Sequence, residues 1–284
     1  YRPVTRLFAL LIALASSLAY GAADFLGGRA ARDAHVLRVV VIAAPASLLV
    51  ELLLWPVVGA TFGGGALAWG AASGVASAAA FALLYRTLSI GPMSVLSPIT
   101  ALVSAALPVA VGLVSGEQVG GLAAIGMVLA LVAVVIVSGG TDVTSVRPTR
   151  TALLLAFGAG AAIALQLICL DQAPSGSGVA PLLIGRTVSS AVVLMAAFAL
   201  RRGLGPERPD TTISAGAGAL DSLANFAFLL AVREGDLSIV AVITALYPAG
   251  TVLLARGVLG ERIGRAQLGG LGIAAVAVCL LAVS

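Results

Sequence analysis

A four-residue sequence occurs twice in this chain, once in each half. Ile99–Leu102 has the same residues as Ile243–Leu246, and the offset from residue 99 to residue 243 is 144 residues in a chain of 284. The same offset superposes Gly116-Glu117 on Gly260-Glu261. We therefore predict two copies of one unit joined by a linker, with boundaries at 1–138, 139–150 and 151–284.

The amino-acid composition indicates whether these units fold in water or in a lipid bilayer. Hydrophobic residues make up 60% of the chain, charged residues make up 10%, and the mean hydropathy is +1.13. Soluble domains carry about 25% charged residues, because their surfaces face water. A soluble core cannot absorb this much apolar sequence, so we predict an integral membrane protein.

Apolar runs separated by charged residues or by Gly and Pro predict ten membrane-spanning helices, five in each half. An odd number of spans inserts the second copy upside down relative to the first, as in many secondary transporters. The predicted fold is therefore an all-α integral membrane protein with two inverted five-helix repeats. The predicted spans are 6–27, 35–56, 66–88, 92–114, 119–138, 151–171, 179–200, 212–232, 237–258 and 265–283.

Arginine is distributed unevenly between the two faces of this arrangement. The loops that follow spans 1, 3, 5, 7 and 9 hold ten arginines, whereas the opposite face, which includes both ends of the chain, holds three. Arginine near span ends marks the cytoplasmic side of a membrane. The count therefore predicts a multi-pass protein of the plasma membrane with both termini outside.

A motif in the second half is typical of a known family. Leu246-Tyr247-Pro248 is followed by Gly260-Glu261-Arg262 and then by Gln267 and Gly270. The first half carries a weaker copy, in which Ser104 takes the place of Pro248. The chain resembles EamA-type transporters of the drug/metabolite transporter superfamily, whose second repeat has an L-x-P, G-E-R and Q-x-x-G pattern.

The resemblance implies an inverted-repeat bundle with a central cavity, lined mainly by spans 1, 3, 4, 6, 8 and 9. It also implies transport of small organic solutes such as amino acids, metabolites or drugs, often as export. Many members of this family keep both termini in the cytoplasm, whereas the arginine count of this chain favours the reverse.

Charged side chains within membrane spans are costly, so each is a candidate functional residue. Asp221 lies near the centre of span 8, and Asn225 follows one turn later on the same helix face. Three roles are open for Asp221. We expect it to contact substrate, to exchange a proton because burial disfavours its charged form, or to make a structural hydrogen bond to a neighbouring helix. Arg186 in span 7 pairs with Asp24 or Asp221, receives an anionic group, or extends to the lipid headgroups.

Further candidates lie on spans 1, 4, 6 and 9. Asp24, beside Tyr20 at the end of span 1, either closes one end of the pathway by pairing with an arginine or is a solvated helix end. Gln166 and Tyr247 are expected to orient a solute by hydrogen bonds, or Gln166 to join two helices. Three prolines are predicted to bend their helices and are candidate gating hinges: Pro98, Pro108 and Pro248.

Four other charged residues are predicted to have structural roles. Glu51 lies one turn before Trp55-Pro56 and is expected to reach the membrane interface. Arg38, near the start of span 2, is expected to extend to the headgroups. Glu117 and Glu261 begin spans 5 and 10, where a carboxylate stabilises a helix N-terminus.

This sequence lacks the residues and motifs that several classes of function require. It contains one histidine, no lysine and hence no Gly-Lys-Ser/Thr phosphate motif, and no His/Cys/carboxylate cluster at metal-ligand spacing. We therefore predict no catalysis, cofactor, metal or nucleic-acid partner. The expected partners are the bilayer, a small-molecule substrate and a proton as candidate coupling ion.

The resulting prediction is a secondary active transporter that moves a small organic solute by alternating access. Two alternatives remain open. A membrane-embedded enzyme would need ionisable groups clustered at one depth. A non-transporting scaffold or regulator would have its polar residues tied in protein contacts, with no open cavity.

Overall fold

The structure is a computed structural model that describes residues 3–90, 93–138, 149–200, 204, 207–251, 254 and 264–283. The residues between 139 and 148, Gly91-Pro92 and the Gly260-Glu261-Arg262 motif lie outside these ranges. The described chain forms ten α-helices, which are α1 (Pro3–Asp33), α2 (Val36–Val58), α3 (Gly64–Ile90), α4 (Met93–Val114), α5 (Gly121–Ser138), α6 (Arg150–Asp171), α7 (Ala180–Ala199), α8 (Thr211–Glu234), α9 (Leu237–Thr244) and α10 (Arg265–Val283).

Seven of these helices are long and apolar enough to cross a membrane. Three shorter apolar helical stretches lie in α4, in α5, and across α9 with the segment that follows it. They are Ile99–Val114, Gly121–Val137 and Leu237–Thr251. The chain is therefore an all-helical, multi-pass membrane protein, as its composition predicts. The helices begin and end within two residues of the predicted spans, except at both ends of span 1 and at the end of span 9.

Helix α1 continues six residues past the predicted end, from 27 to Asp33. Gly27-Gly28 does not end the helix, because one glycine in a helix costs only about 1 kcal/mol. A Cβ at Gly27 would overlap the ring of Tyr85 in α3, so the glycine is used for helix contact. The prediction that Asp24 sits at a helix end is therefore wrong, since two further turns follow it.

Helix α9 ends at Thr244, and a turn at 245–246 precedes a second helical segment that begins at 247. Pro248 explains this break. Its ring clashes with the carbonyl of the residue four positions earlier, which is Thr244, and it has no N–H to bond that carbonyl. A helix break is therefore present next to Pro248, whereas α4 is one continuous helix through Pro98 and Pro108, and the bends predicted there stay predictions.

The helices of the two halves interleave instead of forming separate bundles. Helix α1 packs along α8, and α3 packs along α6. Helix α2 contacts α7 and α8, α3 also contacts α7, α4 contacts α6 and α9, and α5 pairs with α10. Helix α1 also contacts α3, and α6 contacts α8, so these four helices pack together.

Two glycines that lie 144 residues apart permit close helix contacts. A Cβ on Gly74 of α3 would overlap the backbone of Gly185 in α7, and a Cβ on Gly218 of α8 would overlap the backbone of Ala43 in α2. Small residues at membrane helix contacts let two backbones approach. Gly70 and Gly74, one turn apart on α3, therefore both contact the backbone of α7, and Gly218 contacts the backbone of α2.

We expect Gly218→Ala to destabilise the protein, because the added methyl group meets the main chain of α2, which cannot rotate away. Gly216→Ala is the matched control on the same helix, since its Cβ would lie 3.4 Å from the flexible side chain of Leu26. Alanine favours a helix over glycine by about 1 kcal/mol, so Gly216→Ala should melt at or above the wild-type temperature. Equal melting temperatures in detergent for the two variants would contradict the close contact.

Candidate functional site

A cavity of about 40 Å³ lies in the middle of the bundle. One buried water needs at least about 10–15 Å³ on this measure, so the space holds a few waters or a solute of similar size. The lining residues come from α1, α3, α4, α6, α8 and α9 with the segment after it, the same six spans that the family resemblance implied. They are Tyr20, Asp24, Ser77, Ala80, Phe81, Leu84, Ser104, Ile163, Gln166, Leu167, Asp221, Ala241, Thr244, Ala245 and Tyr247.

A buried ion pair forms part of the structure beside this cavity. Nη2 of Arg186 on α7 donates to Oδ2 of Asp221 on α8 at 2.5 Å, and Nη1 donates to Oγ of Ser77 on α3 at 2.9 Å. Arg186 is 2% exposed, and its guanidinium carbon lies 5.7 Å from the centre of the Phe81 ring. Of the predicted alternatives for Arg186, the structure therefore has the pair with Asp221.

Amides extend this polar network to a fourth helix. Nε2 of Gln166 on α6 donates to Oδ1 of Asn225 at 2.5 Å, and Nδ2 of Asn225 donates to the Asp221 side chain and carbonyl at 3.2 and 2.8 Å. Gln166 thus joins two helices and also lines the cavity, and its role in orienting a solute stays a prediction. A smaller cavity of about 10 Å³ lies on the Arg186 and Asn225 side of the network.

Three hydroxyl groups at the cavity are buried without a hydrogen-bond partner among the residues that the structure describes. They belong to Tyr20, Thr244 and Tyr247. An unpaired buried hydroxyl is costly, so each is a ready partner for a water or a polar solute. Asp24 is half-buried in the same wall, and no hydrogen bond or ion pair joins it to another described side chain. The predicted pairing of Asp24 with an arginine is not present.

Glu51 is the clearest error of the sequence prediction. Its side chain does not reach the membrane interface but is 0% exposed inside the bundle. Oε1 accepts a hydrogen bond of 2.6 Å from Oγ of Ser222, the neighbour of Asp221, whereas Oε2 is buried without a partner in the described structure. Glu51 reaches Ser222 because α2 packs along α8. An acidic residue inside an apolar run was the available signal, and the nearby Trp55-Pro56 obscured it.

Two other outcomes concern charged residues outside the cavity. Arg38 is half-buried in the first turn of α2 and does not line either cavity. Glu117 was predicted to cap the N-terminus of α5. It instead caps the N-terminus of α9, in the other half of the chain. Its carboxylate accepts from the backbone N–H groups of Leu237 and Ser238 and from the Ser238 hydroxyl.

The loops on the same side as Glu117 are also joined to each other. Nη2 of Arg233, at the end of α8, donates to the carbonyl of Gly178 at 2.7 Å. Gly178 in turn forms an isolated antiparallel backbone bridge with Ala60, which lies in the loop between α2 and α3. These contacts and the Glu117 cap link loops from both halves on one side of the bundle, and we call them the loop latch.

Spanning helices that enclose a polar cavity define a multi-pass membrane protein of the class that includes secondary transporters. Residues 150–283 match the EamA-like transporter family. This match covers the second half of the chain, and it confirms the resemblance to EamA-type transporters of the drug/metabolite transporter superfamily seen in the sequence.

The fold has relatives among solved structures. One crystal structure superposes with a TM-score of 0.74, over 96% of this chain and 95% of its own, at 12% sequence identity. An identity this low shows a shared fold only. No curated protein sequence matched this chain.

Proposed function

We propose that this protein is a secondary active transporter that moves a small organic solute, such as an amino acid, metabolite or drug, across the plasma membrane by alternating access. The observation that carries the proposal is the central cavity, whose wall holds two carboxylates and three hydroxyls that have no partner among the described residues. A polar cavity near the middle of spanning helices is the usual place for a transported solute. The family match agrees with this function.

The helix contacts support an inverted-repeat arrangement. The repeat makes each helix of the first half equivalent to the helix five later in order, so that α1 corresponds to α6 and α5 to α10. When equivalent helices are exchanged, the α1–α8 contact becomes the α6–α3 contact, and the α2–α8 contact becomes the α7–α3 contact. The contacts α2–α7, α4–α9 and α5–α10 are exchanged onto themselves. Gly74 and Gly218, which are equivalent at an offset of 144, make equivalent contacts. With five helices in each unit, equivalent helices would cross the membrane in opposite directions.

The buried carboxylates support a proton as the coupling ion. Asp24, Glu51 and Asp221 lie within spanning helices, and Arg186 is the one described cation that pairs with any of them. Keeping three charges inside the bundle would be costly, and proton uptake removes that cost. The transporter would then cycle between protonated and deprotonated forms.

The scaffold alternative accounts for only part of this geometry. It expects Asp221 and Gln166 to be tied in protein contacts, and they are. It also expects no cavity, yet both residues border one. The transporter proposal accounts for the contacts and for the space.

Purified protein in proteoliposomes tests the function directly. We expect at least one solute from a panel of amino acids, nucleobases and small organic amines to accumulate when a proton gradient is imposed. Asp221→Asn should lose this accumulation, whereas Asp33→Asn, an exposed substitution at the end of α1, should retain it. A complete panel that stays outside the vesicles, with folded protein inside the bilayer, would argue for the scaffold.

We expect Glu117→Ala to weaken the loop latch. It removes the acceptor for two backbone N–H groups and one hydroxyl at the start of α9, and loss of a helix cap costs about 1–2 kcal/mol. The variant should melt lower and react faster with a water-soluble thiol reagent at a cysteine placed in the cavity. Glu207→Ala, an exposed substitution in another loop, is the control. Unchanged reactivity would mean that the latch does not hold this side closed.

A further inference from the structure

The charge of the cavity wall is one-sided. Asp24 and Asp221 are the charged side chains among its described lining residues, which include no arginine or histidine. Asp221 is neutralised by Arg186, which approaches from α7. Asp24 has no such partner within the described chain. The wall therefore offers one unpaired carboxylate to whatever enters the cavity.

Aromatic and hydroxyl groups complete the wall around Asp24. Tyr20 lies one turn away on α1, and Tyr247 faces the same space from the segment after α9. The hydroxyls of both tyrosines and of Thr244 are buried and have no partner in the part of the chain that the structure describes, and Tyr247 and Thr244 are only 5% and 3% exposed. A cation beside a carboxylate, with aromatic rings around it, is stabilised by charge-assisted hydrogen bonds and by the ring faces.

We infer that the solute is a small organic monocation, whose ammonium group binds the Asp24 carboxylate with the hydroxyls of Tyr20 and Tyr247 as further acceptors. This inference rests on the proposed function only in treating the cavity as the solute site. An anion would face two carboxylates and no available cation. A neutral solute would not take the place of the proton that neutralises Asp24 inside the bundle, whereas a monocation does.

The size of the cavity restricts the rest of the solute. About 40 Å³ admits a few non-hydrogen atoms in this conformation. Ala80, Leu84 and Ile163 line the cavity and suit a short hydrocarbon group. A short alkylammonium ion satisfies the charge, the hydroxyl groups and the volume together.

Binding to the purified protein in detergent tests this inference without requiring transport. The probes are propylammonium chloride, sodium propionate and propionamide, which are similar in size and differ in charge. We expect propylammonium to raise the melting temperature and to bind more tightly than the other two probes. Asp24→Asn should weaken its binding about tenfold or more, Asp24→Glu should retain most of it, and Asp33→Asn should leave it unchanged.

The outcomes separate this inference from the transport function. Equal or tighter binding of propionate or propionamide by the wild-type chain would overturn the cation assignment, even if Asp24→Asn does not fold. Wild-type affinity for propylammonium in a folded Asp24→Asn variant would overturn it as well. Asp24-dependent binding of propylammonium without transport would support the assignment and contradict the transporter proposal alone.

Discussion

Arg186→Met is expected to destabilise the protein by about 3–5 kcal/mol, the usual effect of removing one member of a buried ion pair. The substitution leaves Asp221 without its cation, and it leaves Ser77 without its donor. Methionine fills similar space, so the loss reports the charge more than the packing. The measurement is the melting temperature of the purified variant, with transport in proteoliposomes measured beside it.

A second substitution separates stability from function. Combining Arg186→Met with Asp221→Leu removes both charges, and replacement of a buried pair by apolar residues is often neutral or stabilising. We expect the double variant to recover most of the lost stability but to remain inactive, because Asp221 lines the cavity. Recovery of transport together with stability would show that the pair is structural only.

Glu51→Ala is expected to have the second large effect, about 2–4 kcal/mol of destabilisation. It creates a cavity between α2 and α8 and leaves the Ser222 hydroxyl without its acceptor. Glu51→Gln keeps the shape and an oxygen that can accept from Ser222, so it should melt close to the wild type. This comparison distinguishes a neutral carboxyl from a charged one, since glutamine resembles only the neutral form.

The outcome that contradicts this account is equal destabilisation by the two substitutions at Glu51. A carboxylate that the fold keeps charged would lose its charge in glutamine as well as in alanine. Ser47→Ala on the same helix is the control, since Ser47 is fully buried and its hydroxyl has no partner in the described structure. Removing that hydroxyl should change the melting temperature little.

Much of the fold was predictable because lipid simplifies the sequence signal. Ten apolar runs gave helix ends within two residues at most boundaries, since a span must keep its backbone hydrogen-bonded inside one helix. The helix break next to Pro248 was also predictable from local sequence, because proline has no backbone N–H to continue the helical hydrogen bonds. Gly27-Gly28 was misread as a helix end, because a packing contact with Tyr85 across the bundle outweighs the weak helix propensity of glycine.

The candidate site was only partly predictable. Asp221, Asn225, Gln166, Tyr20, Tyr247 and Asp24 were selected as polar residues inside apolar runs, and the structure brings them to one cavity or its adjoining network. Pairing was harder to predict, because Arg186 had two candidate carboxylates. Ser77 was missed although it lies 144 residues before Asp221, so the repeat offset itself would have selected it.

Contacts that cross between the halves were the hardest to predict. Glu117 was assigned to the nearest helix in sequence, but it caps a helix 120 residues further along the chain. Glu51 was assigned to the interface from its neighbours, but α8 covers it. Both errors have one cause: the helices interleave, so the nearest element in sequence is often distant in space.

Alternating access to the cavity is most directly tested by a single cysteine at Ser104, a buried residue of the cavity wall. The background chain would carry Cys169→Ala and Cys279→Ala, and Ser47→Cys, buried away from the cavity, is the control. A membrane-impermeant maleimide should label the Ser104→Cys variant from either side of oriented vesicles, in proportions that change with the proton gradient. Labelling from neither side, or from one side under every condition, would contradict the account.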